Sequence, residues 1–401
     1  MSKMLSISKE NMYFLLMGMF VFSTFGTIII RVLLNVQMSL NEVLIIPFLV
    51  ILRDRIKGCS LHGNFMTVFF CTLFFVMLAL VVGSFAPYEI MSNARAWFYL
   101  YIGYVVFKYN TSISSDNLLY ASLGMIIAWF FAALYNIFYV IPNLTAEEFS
   151  SNAITANGVM IGIPMFFSLA IMRNRKILFL LGTILFIFIS LFGGQRRVIV
   201  VGIVSVVVSF LLSGRSTSKL IRNMLIGLCI LMFLILILPI AENYISEINP
   251  VLYHRVFVRT RLLLEGGADA SQDHYRIQNI LIFLNSFWDY IIPRGYVSLN
   301  TMNVKGTGIF NDLPIVELCW IYSWPVAFLI IARFLRVLFR NYRKYIKVGN
   351  EENALSVTCL VIMSMLLFLE GTYLNYPFSA FVTGAMLGRA VRNIQPCQVI
   401  R

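Results

Sequence analysis

The stretch KILFLLGTILFIFISLFGGQRRVIVVGIVSVVVSFLL, residues 176–212, sets the fold class. It holds two apolar runs, 176–192 and 197–213, joined through GGQRR at 193–197. Neither run alternates polar with apolar residues, as a strand of a porin-like barrel with a polar lumen would. Continuous apolarity over this length belongs to helices, which satisfy their own backbone groups inside lipid.

The same pattern extends in both directions. The chain has 401 residues, of which 60% are hydrophobic and 12% charged, and its mean hydropathy is +0.84. Soluble chains carry about a quarter charged residues, and a water-soluble globule could not cover itself with so few. The length accommodates about twelve spans of roughly 20 residues with short connections. The expectation is an all-α, polytopic integral membrane protein with about 12 transmembrane helices. A cytosolic enzyme, a disordered chain and a barrel are excluded. Spans are expected near 11–30, 36–52, 64–83, 93–108, 117–140, 156–172, 176–192, 197–213, 221–240, 312–332, 354–370 and 373–390. The chain then divides into nine spans over 1–240, one large loop over 241–311, and three spans with a short tail over 312–401. The first apolar run is long enough to span and stay, unlike the core of a cleaved signal peptide.

The net charge of +13 points to membrane orientation, with no nucleic-acid partner, because the basic residues cluster between apolar runs. With the N-terminus in the cytoplasm, 21 of the 31 Lys and Arg residues fall on the inner side. Both termini are therefore expected inside. The clearest inner loop is RFLRVLFRNYRKYIK, 333–347. On the outer side stand PNLTAEEFSSNAITAN, 142–157, and the long segment 241–311. Within the latter, Tyr275–Trp288 has helical apolar spacing and Pro293-Arg-Gly295 marks a turn. Four of the six cysteines lie inside apolar runs and no CxxC spacing occurs, so neither a disulfide framework nor a metal site is expected.

Three groups of residues could carry chemistry. Arg196 and Arg197 stand side by side at an outer boundary where a helix enters the bilayer. A helix N-terminus favours an anion and guanidinium groups bind phosphate bidentately, although arginines there also anchor spans by reaching for lipid head groups. In the large loop, SQDHYRIQN (271–279) holds Arg276, one turn from Asp273 and Gln272, where a local ion pair is the plainer reading. HRVFVRTR (254–261) adds Arg255, Arg259 and Arg261, equally readable as a solvated or head-group face. His254 and His274 could act as bases but stand alone. The third group is NDLPIVELCW, 311–320, where Asp312 sits at the boundary and Glu317 five residues deeper. A carboxylate at membrane depth is costly and a functional suspect; Asp312 could instead cap the helix that Pro314 opens.

On these residues the chain resembles the O-antigen polymerase (Wzy) family of Gram-negative bacteria, related to the O-antigen ligases. The likeness rests on the late outer loop and on three stretches: FISLFGGQRRVIVVGIV (188–204), SQDHYRIQNILIFLNSFWDYIIPRGY (271–296) and FNDLPIVELCWIYSWPVAFLI (310–330). The resemblance implies a GT-C-like glycosyltransferase of the bacterial inner membrane with its large loop in the periplasm. It would polymerise undecaprenyl-diphosphate-linked repeat units in lipopolysaccharide O-antigen biosynthesis. Donor and acceptor glycans are its implied partners, with membrane lipid and a chain-length regulator protein. Neither metal nor cofactor is implied. Arg196, Arg197 and Arg276, with Arg255 behind them, would hold the diphosphate; Asp312 or Glu317 would be the catalytic base. Ligases carry a His-Asn pair near the end of the loop, where this chain reads Phe310-Asn311, which favours the polymerase. The competing class is a lipid-linked oligosaccharide flippase, for which short loops and charges in mid-membrane are expected.

Overall fold

A computed structural model describes residues 8–23, 25–34, 61–82, 87–109, 113–140, 160–192, 196–214, 242–247, 287–296, 314–369 and 377–394, with scattered positions at 44–47 and 221–285. The fold is all-α, and no strand occurs among the described residues. The helices are α1 (Lys9–Phe20), α2 (Phe25–Leu34), α3 (Leu61–Val81), α4 (Pro87–Tyr109), α5 (Ser115–Tyr135, continued by a π-helical turn Asn136–Val140), α6 (Gly162–Met172), α7 (Lys176–Phe192), α8 (Arg196–Ser213), α9 (Pro314–Tyr322), α10 (Trp324–Val348), α11 (Glu351–Leu369) and α12 (Pro377–Ile394). Two of them, with bounds Ser115–Phe138 and Glu351–Phe368, are long and apolar enough to cross a membrane; shorter apolar helices cover Met66–Val81, Gly162–Met172, Lys176–Ser190 and Arg197–Ser213. The spans expected at 36–52 and 221–240 lie largely outside the described residues.

Two apolar runs are interrupted where hydropathy shows nothing. The run 11–30 divides between α1 and α2, where Ser23 turns its hydroxyl back to the Met19 carbonyl and accepts from the Phe25 amide at 3.3 Å. Such a serine competes with the helical ladder. The run 312–332 divides at Ser323, whose φ is 77°. A helix continued through this point would meet Pro325, which cannot donate and collides with the preceding turn; the break places Pro325 in the first turn of a new helix, where it is tolerated. Conversely, 333–347 is no loop. It is the second half of α10, which contains no Gly and no Pro after Pro325 and ends only at Gly349, φ 65°. A left-handed glycine just past the last turn is the usual helix stop.

The chain forms two compact units, one of Met1–Val50, Ile113–Ala270 and Gly349–Thr358, the other of Ile51–Ser112, Ser271–Val348 and Cys359–Arg401. In the first, α5 packs against α1, α6 and α7, and α6 packs on α8. Serines 8 and 114 cap α1 and α5 by accepting from the amides of Asn11 and Asn117. Gly18 and Gly124 let α1 and α5 touch backbone to backbone, since a Cβ at either would overlap the carbonyl of Ala121 or Leu15. In the second unit α4 and α12 pair in the same way. Gly103 faces the Phe381 carbonyl, while Gly384 and Gly388, four residues apart, face the carbonyls of Leu100 and Tyr104. Small residues at this spacing allow the close helix approach common between membrane helices.

Candidate functional site

Among the described residues, a polar cluster stands out in each unit. In the first, four helix ends converge. Arg173, just past α6, donates from Nε and Nη2 to the two carboxylate oxygens of Glu351 at 3.1 and 2.6 Å, and also pairs with Asp116. Glu351 and Asp116 sit in the first turns of α11 and α5, and Glu10 in the first turn of α1 accepts from Asn117 at 3.1 Å. Acids at helix N-termini and a base at a C-terminus all oppose the local dipole favourably. Burial works against the charge on Arg173, but its bonds to Glu351 and Asp116 outweigh that and hold it more firmly protonated than a free arginine. Fully paired charge of this kind fastens helix ends and leaves little room for chemistry.

The second unit contains the better candidate, assembled around α9. The break at Ser323 leaves the last carbonyls of α9 without helical partners. The segment after Pro293 supplies partners: the amide of Arg294 donates to Trp320 O at 3.0 Å and that of Gly295 to Ile321 O at 3.3 Å, while the Tyr296 amide reaches Phe75 O in α3 at 3.4 Å. Gly295 has φ 73°, and a Cβ there would strike the Phe75 carbonyl, so no other residue fits the position. The chain bends at Ile292 and Tyr296, on either side of the Pro293-Arg-Gly295 stretch expected to turn. The guanidinium of Arg294 lies 4.4 Å from the centre of the Trp320 ring, a cation–π contact.

Pinned in this way, the Tyr296 side chain is fully buried and its hydroxyl stands 3.3 Å from that of Tyr322, which in turn bonds the Tyr101 hydroxyl from α4. Phe75 and Trp97 meet the Tyr322 ring edge-on at 4.8 and 5.8 Å. Glu317, one turn and a half before Tyr322, is 6% exposed. The Trp97 side chain lies by its carboxylate, and Oε2 has no hydrogen-bond partner among the described residues. Leaving a buried polar atom unsatisfied costs about 1–3 kcal/mol, so a carboxylate retained there at that cost is a candidate for function. A cavity of about 310 Å³ adjoins the cluster, bounded by Trp97, Tyr101, Leu318, Tyr322, Arg333 and Thr383 among others. A buried carboxylate can accept a hydroxyl proton, and the aromatic faces of Trp97, Tyr101 and Tyr322 that line the cavity can stack against a sugar ring.

No protein-family model and no curated protein matches this chain.

Of the residues singled out by sequence, Glu317 is thus buried in the second unit. Arg197 is half-buried in the first turn of α8, which opens at Arg196. Nothing is described of the Arg196 side chain, and Arg255, Arg276 and Asp312 lie outside the described residues. The helix expected over 275–288 also falls mostly outside them, its end continuing as a 3₁₀ turn at Phe287–Ile291. Among the described residues, no group of three His, Cys, Asp or Glu side chains could hold a metal ion. Sequence reading missed Trp97, Tyr101, Tyr296, Tyr322 and the Arg294–Trp320 pair. The signal available was Tyr296 directly after a turn glycine and Tyr322 directly before a proline-forced break.

Proposed function

We propose that the chain is an inner-membrane O-antigen polymerase, a glycosyltransferase that joins undecaprenyl-diphosphate-linked repeat units at the periplasmic face. The observation that carries this reading is the buried Glu317 carboxylate of α9, the helix whose last turn receives the amides of Arg294 and Gly295. About twelve spans with both termini cytoplasmic remain the proposed topology. It is supported by the helices found over most of the apolar runs and by the first unit's polar cluster. Glu10, Asp116, Arg173 and Glu351 all belong to ends placed on the cytoplasmic side by the charge bias, and they meet.

In the proposed reaction an acceptor hydroxyl gives its proton to a carboxylate, Glu317 or Asp312, and its oxygen attacks the anomeric carbon of the donor. The bond from that carbon to the diphosphate breaks, and the diphosphate leaves with the electron pair. Arg196, Arg197, Arg276 and Arg255 stabilise the charge that develops on it, which requires fixed donors and no proton transfer. The partners are the donor and acceptor lipid-linked glycans, with a chain-length regulator.

A glycan gel of a strain lacking the gene tests the reading. Core carrying a single repeat is the expected product; bare core with lipid-linked polymer retained would indicate a ligase instead. Arg197→Ala and Arg276→Ala should each remove the ladder of long chains without loss of membrane insertion, and normal ladders from both would remove the diphosphate assignment. Reporter fusions at residues 260 and 300 should both read periplasmic, which a flippase with short loops would not give.

A further inference from the structure

We propose that a recess between α3 and α4 seats an acyl chain of one outer-leaflet phospholipid, whose phosphodiester pairs with Arg95. The two helices pack against each other, and between them lies a hollow of about 370 Å³ with the small, buried Ala94 in its wall. Phe69 and Val76 bound it on α3, Met91 and Phe98 on α4. Thr72 also faces it, but its hydroxyl is already satisfied by the Val68 carbonyl at 2.9 Å. The wall there makes no further polar demand. A hollow of this size lies in the range of small-ligand sites. Phe69 and Met91 at its edges, and Phe70 and Phe74 beside them, are exposed. In the proposed placement it therefore opens onto acyl chains.

Arg95 is the exception in this wall. It is exposed, and it alone is charged among the described residues that line the hollow. It lies eight residues, about 12 Å, into α4. Helical side chains lean toward the N-terminus, which for α4 is the outer end. A guanidinium at this depth reaches back toward the head groups, as long basic side chains in membranes do. An apolar slot with a cation at its outer end matches an amphiphile with an anionic head. The balance of charge chooses among lipids. A phosphodiester carries one negative charge and meets one guanidinium, whereas a diphosphate carries more than the hollow can match. Phe75 and Trp97, from the same two helices, meet the Tyr322 ring, so a lipid that binds the paired helices stabilises one wall of the Glu317 site. The inference rests on the membrane placement proposed above and not on the transfer chemistry.

The test uses the full chain, delipidated in detergent and titrated with phosphatidylglycerol, with bound lipid counted by native mass spectrometry. Arg95→Gln should weaken the tightest-bound phosphatidylglycerol by about fivefold, the effect of one cation near a membrane surface, and Arg95→Lys should retain most of the binding. Thr72→Phe fills the hollow with a ring and should weaken binding at least as much. Val76→Phe fills it from the next turn, and takes over this arm if Thr72→Phe melts below the parent without lipid. Diacylglycerol with the same chains should bind parent and Arg95→Gln alike. Unchanged phosphatidylglycerol binding in Arg95→Gln overturns the phosphate contact; unchanged binding in the filled variant overturns the hollow. Undecaprenyl diphosphate that displaces phosphatidylglycerol at equal concentration overturns the choice of a phospholipid. Release of the parent chain from membranes by alkaline carbonate overturns the membrane placement itself. A chain that resists carbonate and binds no phosphatidylglycerol overturns this site alone.

Discussion

The two units are built alike and charged differently. Each is organised on a pair of helices brought together by glycine, α1 with α5 in one and α4 with α12 in the other. Each also hides polar groups, but in opposite ways. In the first unit the charges of the described cluster are matched, Arg173 taking both Glu351 and Asp116 near the surface. In the second, one carboxylate is enclosed beside an indole, with an oxygen that has no hydrogen-bond partner among the described residues. Matched charge at the rim of a helix bundle contributes to stability and is chemically quiet. Unmatched polarity in an apolar surround costs stability, and is retained where something else needs it.

Four experiments put that contrast at risk. The largest effect is expected where the units are alike. Gly384→Leu and Gly124→Leu each force a side chain into a facing backbone carbonyl, so each should lose more than about 4 kcal/mol and fail to yield monodisperse protein in detergent. If either variant melts like the parent, the close helix pairing is wrong for that unit. Next, Glu317→Gln should remove the long-chain glycan ladder while its thermal melting stays at or above the parental value, because a neutral amide is less costly to bury than a carboxylate. A full ladder from this variant would reduce Glu317 to a structural carboxylate. Arg173→Ala should show the reverse: a normal ladder with about 1–2 kcal/mol of lost stability, discounted for partial exposure. Arg173→Lys should recover less than half of it, since an ammonium cannot make the two-pronged bond to Glu351. The smallest change is Tyr322→Phe, which deletes the hydroxyl between Tyr101 and Tyr296 and should cost about 1 kcal/mol or less by thermal melting.

Much of the helical layout was legible because burial in helices leaves long apolar runs, and α3, α5, α7, α8 and α11 track those runs within a few residues. What hydropathy could not show was where a run breaks. Ser23 and Ser323 interrupt helices through a hydroxyl and a nearby proline respectively, local chemistry that a window average erases. The reverse error occurred at 333–347, where dense arginine reads as loop although arginine, leucine and lysine are good helix formers. Of the site, Glu317 stood out because a charge inside an apolar run is conspicuous. Its surroundings did not. Trp97 and Tyr101 come from α4 and Tyr296 from the loop, and aromatic residues in a chain that is 15% aromatic give no hint of which ones will meet.

The fastening of Arg294, Gly295 and Tyr296 by three successive amides limits how such a chain can be altered. It acts as a knot in a cord, fixing these three residues against the last turn of α9 and against Phe75. Epitope tags placed within 261–280 should therefore leave these three bonds intact, whereas an extra residue between Arg294 and Tyr296 should break them.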